Sequence, residues 1–268
     1  QPFPVNNMYV CAAIGGLFGV LMSFLADYFV DRRRQRMETV AGSLGLSYRE
    51  KLGRNGLKVK GPLHLLEDWE TGRNLIQGKF RGAEVRIFDF FKSHTTRSHG
   101  VSCDNDTTTS EHQTVFLIPL PSEIGLSVQM LHHKAKSWMM AAFGFSGIKF
   151  HTDDSFASDD DKQTLDEFNK NYVVAQGLAR KERASRDKTN PDKLLKQLEH
   201  CISLPLIREL ATGRGWCVEV CESHVAVWIH NRRMKPHEIP ERLNEVMAIH
   251  KLLLEGGSSG SGLKLTAT

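Results

Sequence analysis

Residues 8–30 form an unbroken apolar run, MYVCAAIGGLFGVLMSFLADYFV, in which Asp27 is the one charged residue. At about 1.5 Å rise per residue, a helix over this run spans roughly 34 Å, slightly more than the hydrocarbon core of a bilayer. The run therefore predicts a transmembrane helix, and it places everything else in the chain beside a membrane.

Basic residues flank this run on one side only. Residues 1–7 contain no Lys or Arg, whereas the run is followed directly by Arg32, Arg33, Arg34 and Arg36. Basic residues beside a span tend to stay in the cytoplasm, and at the membrane surface they attract anionic lipid headgroups. A cleaved signal peptide would have a shorter apolar region with its positive charges in front. We therefore expect a single-pass protein of the inner (cytoplasmic) membrane, with its N-terminus outside and its soluble domain in the cytoplasm.

Small residues recur at a spacing of four within the run. Gly15 and Gly19 form a GxxxG pattern, and Ala12 and Gly16 repeat the same spacing. Small side chains let a second helix approach closely, which drives association in lipid. Glycine is also common in transmembrane helices without a partner, so two interpretations remain: a contact with other membrane protein subunits, or an ordinary span.

The rest of the chain divides by composition and periodicity. A Gly- and Ser-rich stretch of the kind at the end of the chain is flexible, and the last residues are either an engineered linker or a natural tail that orders against a partner. A charged stretch near 178–192 marks a possible break between two subdomains. The predicted segments are an extracytoplasmic segment (1–7), the transmembrane helix (8–30), a juxtamembrane helix (31–46), a cytoplasmic domain (47–255) and a flexible tail (256–268).

Within the soluble part, strand patterns dominate and helices interrupt them. Residues 74–91 predict a hairpin with its turn at Arg81-Gly82, and residues 216–233 predict a second one. Residues 239–255 predict an amphipathic helix. Because the strands do not alternate regularly with helices, we expect an α+β fold, an antiparallel sheet with helices packed on one face.

No pattern in the chain indicates a catalytic or cofactor-binding site. The motifs GxGxxG, GxxxxGK[ST] and GxSxG are absent. His94, His99, Cys103 and His112 have zinc-binding side chains, but their spacing matches no familiar zinc pattern. The net charge of +4 is modest and lies largely beside the membrane, so we expect no nucleic-acid partner. The sequence thus predicts no metal and no cofactor.

The segment GRNLIQGKFRGAEVRIFDFF, followed by HQTVFLIPLP, resembles a bacterial family of uncharacterised membrane-anchored proteins. The resemblance extends to the segment WCVEV and the following VWIHNRRMKPHEIPERLNEV. For that family no reaction is known, and the resemblance implies turn and strand roles for the matching residues, with Asp89 capping or pairing within the fold. The matching residues are Gly72, Arg73, Asn74, Gly78, Phe88, Asp89, Phe90, Gln113, Thr114 and Val115.

These patterns together favour a non-enzymatic, single-pass membrane protein that serves as an accessory or scaffolding subunit of a larger membrane complex. The alternative is a membrane-tethered sensor or ligand-binding module, which would require a concave apolar pocket. An enzyme would require a pocket that holds Asp89, His112 or the cysteines with a perturbed pKa.

Overall fold

The computed structural model describes residues 5–53, 57, 63–67, 71–96, 107–121, 127–133, 135, 148–152, 158–176, 198, 202–212, 214–221, 223–256 and 263–267. The described helices are α1 (Val5–Ser43), α2 (His64–Glu67), α3 (Asp159–Asn171), α4 (Leu204–Ala211) and α5 (Ile239–Glu255), with a 3₁₀ turn at Pro236–Glu238 before α5. The described strands are β1 (Ser47–Leu52), β2 (Thr71–Phe80), β3 (Ala83–Thr96), β4 (Thr107–Pro119), β5 (Val128–His132), β6 (Ile148–Thr152), β7 (Tyr172–Gln176), β8 (Trp216–Cys221), β9 (His224–Ile229) and β10 (Leu263–Ala267).

All of these strands belong to one antiparallel sheet in the order β1-β2-β3-β4-β9-β8-β5-β7-β6-β10. The predicted α+β class is confirmed. The late hairpin β8–β9 inserts between β4 and β5, so strands from both halves of the chain alternate across the sheet. The strands therefore do not separate into two subdomains as the sequence suggests, and the predicted break near 178–192 lies outside the described residues.

Helix α1 runs without interruption from the apolar run into the folded domain. Its N-terminal half exposes large apolar side chains, with Leu17 at 76% and Phe24 at 70% exposure, whereas Met37 and Ala41 are buried in the core. Within the part of the chain that the structure describes, α1 is the one helix long and apolar enough to cross a bilayer, as judged by length and composition. The span and the juxtamembrane segment are thus a single rigid element.

The end of α1 is set by a glycine in the left-handed region. Gly45 has φ 69°, the Leu46 N–H donates to the Ala41 carbonyl at 2.8 Å, and the Gly45 N–H donates to the Gly42 carbonyl at 3.1 Å. This pair of bonds is the Schellman pattern, which satisfies the last carbonyls of a helix. The turn directs the chain into β1 and buries Leu46 against Gly78 of β2.

The sheet is covered on both faces, because successive side chains of its central strands point to opposite sides. One face packs against the end of α1 and against α3, α4 and α5, with Ile87 and Val218 in its core. The other face, which includes Phe88 and Cys217, packs against leucines of β1, α2 and their neighbours. In α5 the buried stripe follows the predicted periodicity: Ile239, Leu243, Val246, Ile249 and Leu253.

Two segments differ from the sequence prediction. Residues 159–161, which the sequence predicts to be a solvated acidic loop, form the first turn of α3, where Ser158 and Asp161 form a capping box and the carboxylates favour the positive end of the helix dipole. The tail at 256–268 is predicted to be flexible, but its residues Leu263–Ala267 pair with β6 as strand β10. The edge of β6 supplies backbone partners, which composition alone does not reveal.

The sequence also predicts a helix over residues 132–144 with exposed histidines at its start. His132 is instead the last residue of β5 and is buried. Residues 136–147 lie outside the described part of the chain, as do 97–106, which include His99 and Cys103.

Candidate functional site

The most densely bonded polar site of the described residues is the carboxylate of Asp89, at the point where α1 meets the sheet. Arg33 of α1 approaches it with both Nη2 and Nε, at 2.6 Å from Oδ1 and 2.7 Å from Oδ2. The Thr114 hydroxyl donates to Oδ1 at 3.0 Å, and the Asn74 amide donates to Oδ2 at 2.8 Å. Arg233 completes the site with its Nε at 3.2 Å from Oδ2. We call this set the Asp89 site.

The backbone of β2 is deformed where it supplies Asn74. The register between β2 and β3 shifts between Arg73 and Ile76, and Asn74 has φ 56°. A bulge of this kind redirects a side chain, and asparagine tolerates the left-handed region better than most residues. Asn74 thereby reaches Asp89 while its amide oxygen accepts a bond from the Tyr48 hydroxyl at 2.7 Å.

The loop that follows β9 is tied to the same site. Arg33 Nη1 donates to the Met234 carbonyl at 2.8 Å, and the Met234 N–H donates to the Thr114 hydroxyl at 3.0 Å. The Thr114 N–H in turn donates to the Arg232 carbonyl at 3.1 Å. Helix α1, strands β2, β3 and β4 and this loop are thus joined through one buried carboxylate.

The electrostatics of the site keep Asp89 ionised. Burial by itself raises the pKa of this carboxyl, but the hydrogen bond and charge of Arg33, together with Arg233 and Asn74, hold its pKa below the ordinary value. Its two oxygens already accept five hydrogen bonds from these groups and Thr114. A carboxylate with its lone pairs engaged and a lowered pKa is a poor proton acceptor. The arrangement is suited to fixing structure, and it agrees with pairing within the fold.

The Asp89 site holds more positive than negative charge. Arg73 lies opposite Asp89 in the β2–β3 register, and its charge acts on Arg233 together with that of Arg33. Burial lowers the pKa of Arg233, Asp89 opposes this effect, and the two neighbouring arginines add to it. Three guanidinium groups therefore surround one carboxylate.

The four arginines predicted to face the membrane have different environments. Arg33 is withdrawn into the Asp89 site, with 13% of its side chain exposed. Arg34 pairs with Glu50 at 3.3 Å and with Asp31 at 3.6 Å. Arg32 lies over the Tyr28 ring, with 5.9 Å from its guanidinium carbon to the ring centroid. Arg36 is exposed.

The small-residue stripe of α1 has no neighbour within the described chain. A side chain added at Gly15, Gly16 or Gly19 would meet no atom within 4 Å. Ala12 lies in α1, but its side chain is outside the described part.

Two concave regions lie away from the Asp89 site. On the opposite face of the sheet, buried Glu219 accepts bonds from the Gln129 amide at 2.9 Å and the Leu65 N–H at 3.0 Å, beside a cavity of about 10 Å³. That volume holds about one water molecule. An open groove of about 860 Å³ lies between α5, the β2–β3 turn and the end of β4, lined among others by Met247 and Leu254.

Sequence reasoning missed the partners of Asp89. One signal was present: Asp89 sits between Phe88 and Phe90 in a strand whose neighbours are apolar, and a buried carboxylate is rarely unpaired. Nothing local in the sequence identified Arg33 or Arg233 as the partner, because these residues lie 56 and 144 positions away.

Comparison with known proteins gives little further guidance. No model of a known protein family matches the chain, and no curated protein sequence matches it. Among solved structures, the chain is similar to the crystal structure of the mycobacterial trehalose monomycolate transport factor A, TtfA. The similarity covers 84% of this chain and 94% of that chain, at 15% sequence identity and a TM-score of 0.42. At these values the similarity supports no inference about function.

Proposed function

We propose that this chain is a non-enzymatic, single-pass membrane protein that acts as an accessory or scaffolding subunit of a larger membrane complex. The observation that carries the proposal is the rigid connection between the apolar helix and the folded domain. Helix α1 continues unbroken through Val30, and Arg33, three residues later, is fixed to Asp89 and to the Met234 carbonyl.

A rigid connection supports this role because simple retention at a membrane does not require it. A flexible linker is sufficient to keep a domain near a bilayer. Here the axial distance from Val30 to Arg33 is about 4.5 Å of helix, and the Asp89 site fixes how the helix is rotated relative to the sheet. Fixed height and rotation matter when the domain must meet a neighbour held in the same membrane.

The exposed surface of α1 supports a helix partner. Large apolar side chains project from it on all sides, and the stripe of Gly15, Gly16 and Gly19 leaves space for close approach. In this proposal the span lies in the inner membrane with its N-terminus outside, the domain is cytoplasmic, and Arg32 and Arg36 meet anionic headgroups.

The chemistry of the candidate groups supports a non-enzymatic role. The Asp89 carboxylate is fully engaged, as described above. Burial raises the pKa of the Cys217 thiol to about 12, which keeps it from forming the thiolate that nucleophilic catalysis needs.

The rotation of the span is the property to test. Two alanines inserted between Val30 and Asp31 turn the span by about 200° and lengthen the helix by about 3 Å, while the Asp89 site stays intact. Gentle detergent extraction, affinity purification and mass identification should give stoichiometric membrane partners for the native chain and fewer for the insertion variant, at equal abundance in the membrane. A native chain that elutes alone, or an insertion that leaves every partner bound, would contradict the proposal.

The helix contact has its own test. Gly15→Leu with Gly19→Leu should reduce partner recovery, because two large side chains prevent close packing. The matched control is Leu17→Ala with Leu21→Ala, on the other side of the helix. Equal partner recovery for the two variants would argue against an interface at the glycine stripe.

The groove beside α5 favours a second candidate function, a membrane-tethered ligand-binding module. Its volume of about 860 Å³ lies in the range of small-molecule sites, which are roughly 300–1,000 Å³. Met247→Trp would fill part of the groove. Under this alternative, a ligand that stabilises the native chain in a thermal screen should fail to stabilise the variant.

A further inference from the structure

The Asp89 site retains positive charge after its internal pairing. Arg33, Arg73 and Arg233 contribute three charges, and Asp89 neutralises one. Among the described residues, Asp89 is the only carboxylate within 4 Å of Arg233, and Arg73 has none. An excess of this kind in a partly buried site attracts an anion.

The nearest carboxylates on neighbouring elements are already engaged. Glu50 of β1 pairs with Arg34 at 3.3 Å. Glu238, in the turn before α5, accepts from Arg232 at 3.0 Å and from the Lys235 N–H at 2.9 Å. Within the described chain, the charge on Arg73 and Arg233 is therefore not balanced by these groups.

The accessibility of the two arginines differs from that of Arg33. Asp89 engages Arg233 through Nε at 3.2 Å, and 39% of the Arg233 side chain is exposed. Arg73 is exposed on β2. Guanidinium groups bind phosphate oxygens through two parallel N–H bonds, and Arg233 is already oriented by its bond to Asp89.

The position of this charge along α1 identifies the anion. Arg33 is about 4.5 Å of helix beyond Val30, the last residue of the apolar run. Headgroup layers add roughly 5–7 Å to each side of the hydrocarbon core. The Asp89 site is therefore level with the phosphates of the leaflet that α1 enters.

We propose that Arg73 and Arg233, beside the Arg33–Asp89 pair, bind the phosphate of an anionic lipid headgroup. The inference rests on the membrane anchoring in the proposed function, and it adds residues from β2 and from the loop after β9 to the arginines of the helix. The bound lipid would hold the domain against the bilayer surface.

The test uses the full chain purified in a neutral detergent, with lipid binding measured by native mass spectrometry. Phosphatidylglycerol should bind in preference to phosphatidylcholine. Arg73→Gln with Arg233→Gln should weaken phosphatidylglycerol binding about tenfold, the loss of one charge-assisted contact. Arg73→Lys with Arg233→Lys keeps the charge and should lose less. The matched control, Lys79→Gln with Arg81→Gln, removes the same charge from the other end of β2 and should leave binding unchanged.

Two further measurements keep the outcome decisive. Arg73→Gln alone removes no hydrogen bond from Asp89, so it should weaken lipid binding at an unchanged thermal midpoint. Inorganic phosphate should not displace the lipid. Equal phosphatidylglycerol binding by the native chain and the double Gln variant, or displacement by phosphate, would overturn the proposal. Because the isolated chain is used, neither result bears on the search for membrane partners.

Discussion

Arg33 and Asp89 are 56 positions apart in the chain, yet their side chains form a two-bond ion pair with distances of 2.6 and 2.7 Å. Both side chains are largely buried, with 13% and 8% exposed. The pair joins the helix that carries the apolar run to strand β3 of the sheet. Removing one member of a buried pair leaves the other charge without compensation, which costs more than the pair itself contributes.

Asp89→Asn should therefore destabilise the protein strongly. Arg33 and Arg233 would face a neutral amide, and breaking a buried pair in this way costs about 3–5 kcal/mol. For a chain of this size the thermal midpoint of the full protein in detergent should fall by about 10 °C.

The matched control for Asp89→Asn involves the same helix. Arg34 and Glu50 form an exposed pair at 3.3 Å, and Glu50→Gln should leave the midpoint almost unchanged because exposed pairs are screened by solvent. If Asp89→Asn and Glu50→Gln had equal effects, the Asp89 site would not be what holds α1 to the sheet.

The limits of sequence reasoning are clear at this site. The stripe of α5 and the hairpin β2–β3 follow from local periodicity and a tight turn, and both can be predicted from a few neighbouring residues. The bonds of Asp89 depend on which strands become neighbours, and β4 pairs with β9 more than a hundred positions away. The prediction of two subdomains failed for the same reason, since local pattern does not show that β8 and β9 enter the middle of the sheet.

The end of α1 gives a pair of glycine substitutions with opposite signs. Gly42 is helical and exposed, and a Cβ added there would have no atom within 4 Å, so Gly42→Ala should stabilise the protein by about 0.5–1 kcal/mol. Gly45 has φ 69°, where a side chain costs about 1–2 kcal/mol, so Gly45→Ala should destabilise it. Thermal midpoints of the two variants should move in opposite directions; a shift in the same direction would argue against the Schellman turn.

Gly78 should be the least replaceable glycine of the described sheet. It has φ 150°, and an added Cβ would lie 3.0 Å from Leu46 Cδ2. Gly78→Ala should cost about 1–3 kcal/mol, the usual strain in a region of the backbone that only glycine adopts readily. Gly53→Ala is the control, since Gly53 has no such φ and no atom within 4 Å. A thermal midpoint as high as that of the control would show that the β2 backbone relaxes at this position.

Two buried histidines should make the protein sensitive to mild acid. Burial, reinforced by the charge of Arg86, lowers the pKa of His224 from 6.5 to about 4, and burial also lowers the pKa of His250. Between pH 6.5 and about 4 the unfolded chain binds protons at these positions while the native state does not, so stability falls as the pH falls through this window. Asp89 has a pKa below its ordinary value of 3.8, so its contribution is lost only at lower pH. Thermal midpoints measured from pH 8 to pH 4.5 should decline below pH 6.5, and His224→Gln should decline less steeply. Parallel curves for the native chain and the variant would show that His224 is protonated as readily in the folded state as in the unfolded chain.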